Sequence, residues 1–231
     1  NIIKKILSLL YSKLVNTQNE DNQNFPIEAD NNIRKFINIA NQFSMTGKKR
    51  MFLLSQAVLN VKNQKLEGDF VECGVWRGGN ILLFKLLNEF YSLNKTIYAY
   101  DTFDGMTTPE DIDKDYKQRS AIKEMKLQHK SENLQNIHAF SKIENVKKNI
   151  LEYANLDKIN FIKGPVEKTL IMKQNLPSKI SVLRLDTDWY KSTKIELEIL
   201  YPRLVKGGIL IIDDYGYFEG ARKAVDEYFI E

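Results

Sequence analysis

Two stretches of this chain put carboxylates where apolar runs stop. In RLDTDWYKST, Asp186 and Asp188 follow the run Ile180 to Leu185; in GGILIIDDYG, Asp213 and Asp214 follow Ile209 to Ile212. If the two runs are neighbouring strands about 4.8 Å apart, Asp186 and the Asp213–Asp214 pair crowd one point. Like charges so close either raise a carboxylate pKa or recruit a cation. An all-oxygen donor set suits a hard divalent ion, with Mg²⁺ and its retained waters the first choice, held by Asp186, Asp213 and Asp214. The plainer alternative is that Asp213 and Asp214 cap the next helix while Asp186 pairs with Arg184 or Lys191. Asp188 can reach the same pocket without joining the metal shell and act as general base. A metal beside a substrate hydroxyl would lower that hydroxyl's pKa and ease the base's task.

A second group of residues lies upstream. ECGVWRGG (72–79) reads as a glycine-rich turn from strand to helix, in which Gly74 allows a tight turn and close approach of a ligand to the backbone. Gly78 and Gly79 let the helix start close to the strand with its amides exposed. Asp101, ending YAYD, is placed to accept hydrogen bonds from the two hydroxyls of a ribose. Phe103 either lies against an adenine face or belongs to the core. A dehydrogenase would use the same features, but CGVWRGG lacks the G-x-G-x-x-G spacing of its fingerprint. Glu72 does nothing for a pyrophosphate, whereas it suits a cofactor with a cationic amino group or sulfonium, which turns the balance toward S-adenosylmethionine (SAM).

The elements that must position these residues follow from periodicity. Short apolar runs at DFVECGV, TIYAYD, INFIKG, ISVLRLD and GGILIIDD alternate with amphipathic stretches, and helical patterns also cover about 33–42 and 48–63. Strands apolar on both sides, alternating with helices, mean a mostly parallel sheet covered on both faces, an α/β doubly wound fold of Rossmann-like type. Ligands of such sheets bind outside the carboxyl ends of the strands, where the acids above fall. The division expected is an N-terminal helical segment with linker over 1–66 and a cofactor-binding domain over 67–231. A charged insertion at about 104–140 reads as a lid or binding loop. Its His129 and His138 read as solvated or structural rather than catalytic.

Composition narrows the function classes. The 231 residues suffice for a substantial core, and 43% hydrophobic with 28% charged residues is ordinary globular content. A net charge of +4, with both signs interspersed, argues against a nucleic-acid binder. Cys73 is alone, so it forms no internal disulfide, and its apolar surroundings suggest a buried, inert thiol. No apolar run approaches the roughly 18 to 20 residues of a transmembrane segment, and a cytoplasmic location is expected. IIKKILSLLYSKLV has the pattern of a docking or membrane-surface helix without a signal-peptide cleavage site.

Taken together, GDFVECGVWRGG, YAYDTFDGM, FIKGPVEKTL, LRLDTDWYKST and GGILIIDDYG, with the lead-in MTGKKRMFLLSQAV, resemble the macrocin O-methyltransferase (TylF/MycF) family from about Met45 onward. The resemblance implies a SAM- and Mg²⁺-dependent enzyme that methylates sugar hydroxyls. It implies that Glu72, Gly74 and Trp76, Arg77 and Gly78 line the methionine end of SAM, with Asp101 at the ribose. It repeats Asp186, Asp213 and Asp214 as metal ligands and Asp188 as base. A homo-oligomer contacting through the N-terminal helices is also implied. The chain ends at EYFIE, without the final antiparallel strand pair usual for this methyltransferase class, so either those strands lie outside this segment or the sheet is incomplete with an exposed edge. The acceptor stays open among an antibiotic deoxysugar, a cell-surface glycan and a nucleotide-linked sugar. Two alternatives stand beside this: an NAD-type oxidoreductase, and a non-catalytic member that binds SAM or a partner.

Overall fold

The computed structural model describes residues 25–131 and 136–230. The amphipathic stretch at 2–14 and the first part of the linker lie outside the described residues. Five strands form one sheet: β1 (Asp69–Cys73), β2 (Ile97–Asp101), β3 (Ile159–Lys163), β4 (Ile180–Leu185) and β5 (Leu204–Ile212). Their order is β3-β2-β1-β4-β5, and every pairing is parallel. The expected doubly wound sheet is therefore present, each strand falling on one of the five apolar runs. Among the described residues β5 is an edge.

Side chains alternate between two cores, as the two-residue period of a strand requires. Phe70, Ile97, Ala99 and Val182 join one cluster with residues of four helices, α1 (Asn31–Ala40), α2 (Lys48–Gln64), α3 (Gly79–Phe90) and α5 (Ile143–Leu151). Val71, Cys73, Tyr100, Leu183 and Leu185 face the other way, onto α6 (Val166–Thr169), α7 (Tyr190–Leu200) and α8 (Glu219–Ile230). Ile33, Ile37, Met51, Leu54 and Val58 are buried in the first cluster, so α1 and α2 share a core with the sheet. Burying one such side chain contributes about 1.5–3 kcal/mol. Asp30 caps α1, its Oδ1 accepting from the amides of Asn32 (2.8 Å) and Ile33 (3.0 Å).

The insertion folds back onto the starts of α7 and α8. It contains α4 (Ala121–Leu127), which the periodicity did not reveal. Asp113 accepts from the amide of Tyr190 at 2.9 Å, the Trp189 indole donates to the Thr107 carbonyl at 3.0 Å, and Asp115 bridges to Phe218. His138 serves this packing, its Nε2 lying 3.1 and 2.9 Å from the carbonyls of Met125 and Gln128. Cys73 is fully buried, and burial pushes its thiol far up, as expected of an inert group. No helix among the described residues is long and apolar enough to cross a membrane.

Candidate active site

The carboxyl ends of β1, β4 and β5 meet through backbone hydrogen bonds. The Asp186 amide donates to the Cys73 carbonyl (2.9 Å), and the Asp213 amide to the Leu185 carbonyl (3.0 Å). The two acidic strand ends are therefore direct neighbours. Gly74 is obligatory at this junction: its φ is +86°, and a Cβ there would lie 1.9 Å from the Asp186 carbonyl oxygen.

A buried arginine organises the acids. Arg184 stands beside Glu72 in the β1–β4 register. Its Nη1 donates to Glu72 Oε1 and Asp186 Oδ2, both at 2.7 Å. Its Nη2 reaches Thr46 Oγ1 and Asp213 Oδ1, both at 3.0 Å. Thr46 and Glu72 Oε1 each also accept from Asn80, at 3.1 Å. The pairing of Asp186 with Arg184, the plainer reading of these acids, is thus real, and it coexists with an acidic cluster. The reach of Arg184 to Glu72 and Asp213, and the parts played by Thr46 and Asn80, were not foreseen.

One oxygen each of Asp186, Asp188 and Asp214 lies within 4.8 Å of the others, a spacing able to hold one cation. Asp213, expected as a metal ligand, is placed differently. Its Oδ1 meets Arg184, and its Oδ2 meets Arg50 at 2.5 Å. Two guanidiniums pair with it, whereas the converging oxygens of the trio come from Asp186, Asp188 and Asp214. Asp188 also has φ +66°, a left-handed backbone that costs a non-glycine residue of order 1–3 kcal/mol. Strain of that kind is kept where the aim of a side chain matters.

Five carboxylates here face two guanidiniums, those of Arg184 and Arg50. Burial pushes Glu72 up to about 8, against the pull of Arg184. Burial likewise raises Asp188 to about 7, with Asp186 and Asp213 adding repulsion. Burial raises Asp214 well above the carboxylate range, and Asp188 pushes it further. Burial opposes the charge of Arg184, but Asp186, Glu72 and Asp213 outweigh it and keep the guanidinium protonated. The surplus negative charge therefore takes up protons or a divalent ion.

Two cavities open above these strand ends. The first is lined by Tyr100, Asp101, Gly164 to Glu167 and the insertion residues Gly105 to Thr107. The second is lined by Ser44, Arg50, Asn80, Asp213, Asp214 and Tyr217. Met45, Gly74, Trp76, Asp186 and Asp188 belong to both. The cavities adjoin at the acids.

The remaining sequence-derived residues divide. Trp76 is 8% exposed, and its Nε1 has no partner among the described residues. Asp101 faces the first cavity, but its carboxylate already accepts from the amides of Val75 (2.6 Å), Trp76 (3.0 Å) and Phe103 (2.6 Å). It thereby braces the glycine turn. Glu72 sits behind the wall, 1% exposed, with Oε2 unpaired. Gly78, at φ +90°, packs against Val146 and not against a cavity. Arg77 lines neither cavity; its guanidinium rests on the Trp76 ring, 4.6 Å from the centroid. Phe103 lies in the core, 2% exposed and edge-on to Phe161. Neither His129 nor His138 lines these cavities.

Comparison with known proteins agrees with this geometry. The family model described as Macrocin-O-methyltransferase (TylF) matches residues 3–230. The chain is 34% identical over 192 residues to demethyldecarbamoylnovobiocin O-methyltransferase of Streptomyces niveus, covering 82% of this chain and 68% of the relative. It is 32% identical over 188 residues to mycinamicin III 3''-O-methyltransferase of Micromonospora griseorubida, covering 80% and 69%. The solved structure of the O-methyltransferase NovP superposes with a TM-score of 0.68 at 31% identity, over 80% of this chain and 73% of that one.

Proposed function

The chain belongs to the macrocin-O-methyltransferase (TylF) family and is an O-methyltransferase, and from that premise we propose that it methylates a sugar hydroxyl with SAM and Mg²⁺. The observation that carries the reading is the pair of cavities adjoining at Asp186 and Asp188. A donor in the first and a hydroxyl in the second would meet beside the acids, the close in-line placement on which displacement at carbon depends.

The residues fit both groups. An unpaired indole N–H on Trp76 calls for an acceptor, and unpaired oxygens on Glu72 and Asn80 call for donors. Each buried orphan costs about 1–3 kcal/mol unless something meets it. The carboxylate and ammonium of an amino-acid end offer both kinds of partner, Glu72 acting through Asn80 and the local field. Asp186 and Asp214 would hold the metal with Asp188 beside them, and the unpaired Asp214 Oδ2 supports a cation there. When bound, a divalent ion polarises the substrate hydroxyl and lowers its pKa.

Asp188 would take the proton of the hydroxyl that accepts the methyl group, and SAM, when bound, would supply that methyl. Arg184 and Arg50 hold Asp213 away from the reacting oxygen and limit the charge of the cluster. Met45 and Trp76 wall the junction. An NAD-type oxidoreductase would leave the acidic trio without a task. The test is transfer of labelled methyl from SAM to a panel of rhamnosides, nucleotide-linked sugars and surface glycans, with Mg²⁺ and with EDTA. Label in a sugar, abolished by EDTA, supports the proposal; label equal in both contradicts the metal half.

A further inference from the structure

Asp188 sits at the centre of a strained turn that α7 holds in place. The Trp189 amide donates to the Thr187 carbonyl at 2.8 Å, and Asp188 between them has φ +66°. A bond from one residue back to the carbonyl two before it, with positive φ between, is the rare and strained form of the γ-turn. Such a backbone persists only where its surroundings over-determine it. Two side chains of α7 do so here. Ser192 Oγ donates to the Thr187 carbonyl at 3.2 Å, and Glu196 Oε1 accepts from Thr187 Oγ1 at 2.9 Å. Four residues apart, Ser192 and Glu196 stand one above the other on the same face of the helix. Both are buried, Glu196 completely.

Catalysis gives Glu196 no direct part, yet an acid is kept inside the layer between the sheet and α7. Burial pushes its carboxyl well above the ordinary range, and its Oε2 is unpaired. An apolar side chain would fill the space without that desolvation. What the acid adds is one acceptor, and the group it meets is Thr187. We infer that Glu196 is a positioning residue: through Thr187 it holds the strained turn that aims Asp188 into the acidic trio. Thr187 lies between Asp186 and Asp188, whose oxygens converge with one of Asp214. Asp186 is fixed independently, its amide on the Cys73 carbonyl at 2.9 Å and its carboxylate on Arg184. Asp188 lies beyond the strand pairing, which ends at Leu185, so its aim depends on the turn. Without the bond to Glu196, Thr187 is released, the turn relaxes toward negative φ and the Asp188 carboxylate leaves the trio. The aim at a cation rests on the metal reading above, whereas the hold on the turn does not.

The test follows hydrogen exchange of the Trp189 backbone amide by NMR in the full chain, for Glu196→Leu, Glu196→Gln, Thr187→Val and Thr187→Ser. Exchange about tenfold faster in Glu196→Leu and Thr187→Val, the loss of one buried hydrogen bond, supports the role. It should return to the wild-type rate in Glu196→Gln, which keeps the acceptor, and in Thr187→Ser, which keeps the donor. The amides of β4 should stay protected throughout. The double variant of Glu196→Leu with Thr187→Val should exchange no faster than either single, since both remove the same bond. Thr187→Val keeps the shape of the native side chain and carries the test should Glu196→Leu fail to fold. Calorimetry with MgCl₂ should show severalfold weaker binding to the two variants that break the bond, and wild-type binding to the two that keep it. A Trp189 amide as protected in Thr187→Val as in wild type overturns the proposal. Exchange that rises equally along β4 also overturns it, because the bond then serves stability alone. A loosened turn with unchanged Mg²⁺ affinity overturns the aiming of Asp188. No Mg²⁺ heat in wild type, with the exchange pattern intact, supports the hold on the turn and contradicts the metal reading instead.

Discussion

Glu72 and Arg184 face each other across the β1–β4 ladder and form an ion pair of 2.7 Å with 1% and 2% of their side chains exposed. Removing one partner of a buried pair strands the other charge and costs about 3–5 kcal/mol. Arg184→Met should therefore lower unfolding stability by that amount in urea. The double variant Glu72→Gln with Arg184→Met should recover part of the loss, since Asp186 and Asp213 stay without their cation. A double variant no more stable than the single would deny that the pair is the coupled unit.

Asp213 and Asp214 are adjacent in the chain but do different jobs in this arrangement. Asp214→Asn removes an oxygen of the trio and should weaken Mg²⁺ binding by an order of magnitude or more, on the order of 1.4 kcal/mol per tenfold. Asp213→Asn leaves the trio intact and releases Arg50, so the Mg²⁺ affinity should change far less. Calorimetric titration of MgCl₂ into both variants compares them directly. Equal losses would mean that Asp213 turns from its arginines to the metal.

The raised carboxylates give stability a definite pH dependence. A carboxyl whose folded pKa is raised binds its proton more tightly in the folded state. Its contribution is full below the ordinary carboxylate range and is lost as pH rises through about 7 for Asp188 and about 8 for Glu72. Metal-free protein should then melt lower at about pH 8.5 than at about pH 5.5. Mg²⁺ should raise the melting temperature mainly at the alkaline end, because at low pH it competes with protons. Scanning fluorimetry across pH, with and without MgCl₂, reads both effects. A Mg²⁺ effect of equal size at both ends would contradict the link.

Trp76→Phe keeps an aromatic wall and removes only the unpaired indole N–H. If that donor meets the carboxylate of SAM, its loss should weaken SAM binding about five- to tenfold, the worth of one hydrogen bond of roughly 1–1.5 kcal/mol. Unchanged SAM affinity would place the carboxylate elsewhere.

The strands were legible because each is an apolar run, and a buried parallel strand has no other way to look. The proximity of Asp186 to the Asp213–Asp214 pair followed from the same pattern. Arg184, foreseen only as a partner for Asp186, was otherwise hidden for the opposite reason. It is one cation inside ISVLRL, and only the register beside Glu72 shows what it neutralises. Strand order also decides which acids turn to arginine and which stay in the trio, and no spacing along the chain encodes that. Phe103 was ambiguous since an aromatic after a strand suits a core or a ligand equally; its φ of +49° turns the ring into the core. The insertion helix α4 carries few large apolar residues in period and went unread, while α8 was expected only as the helix following Asp214.

Calorimetric titration of SAM, with and without Mg²⁺, on the wild type and on Asp214→Asn tests the central claim most directly. The paired cavities predict a SAM heat in both proteins and a Mg²⁺ heat that Asp214→Asn loses. A folded wild-type chain that gives no SAM heat would contradict the assignment of the first cavity, and with it the account of catalysis.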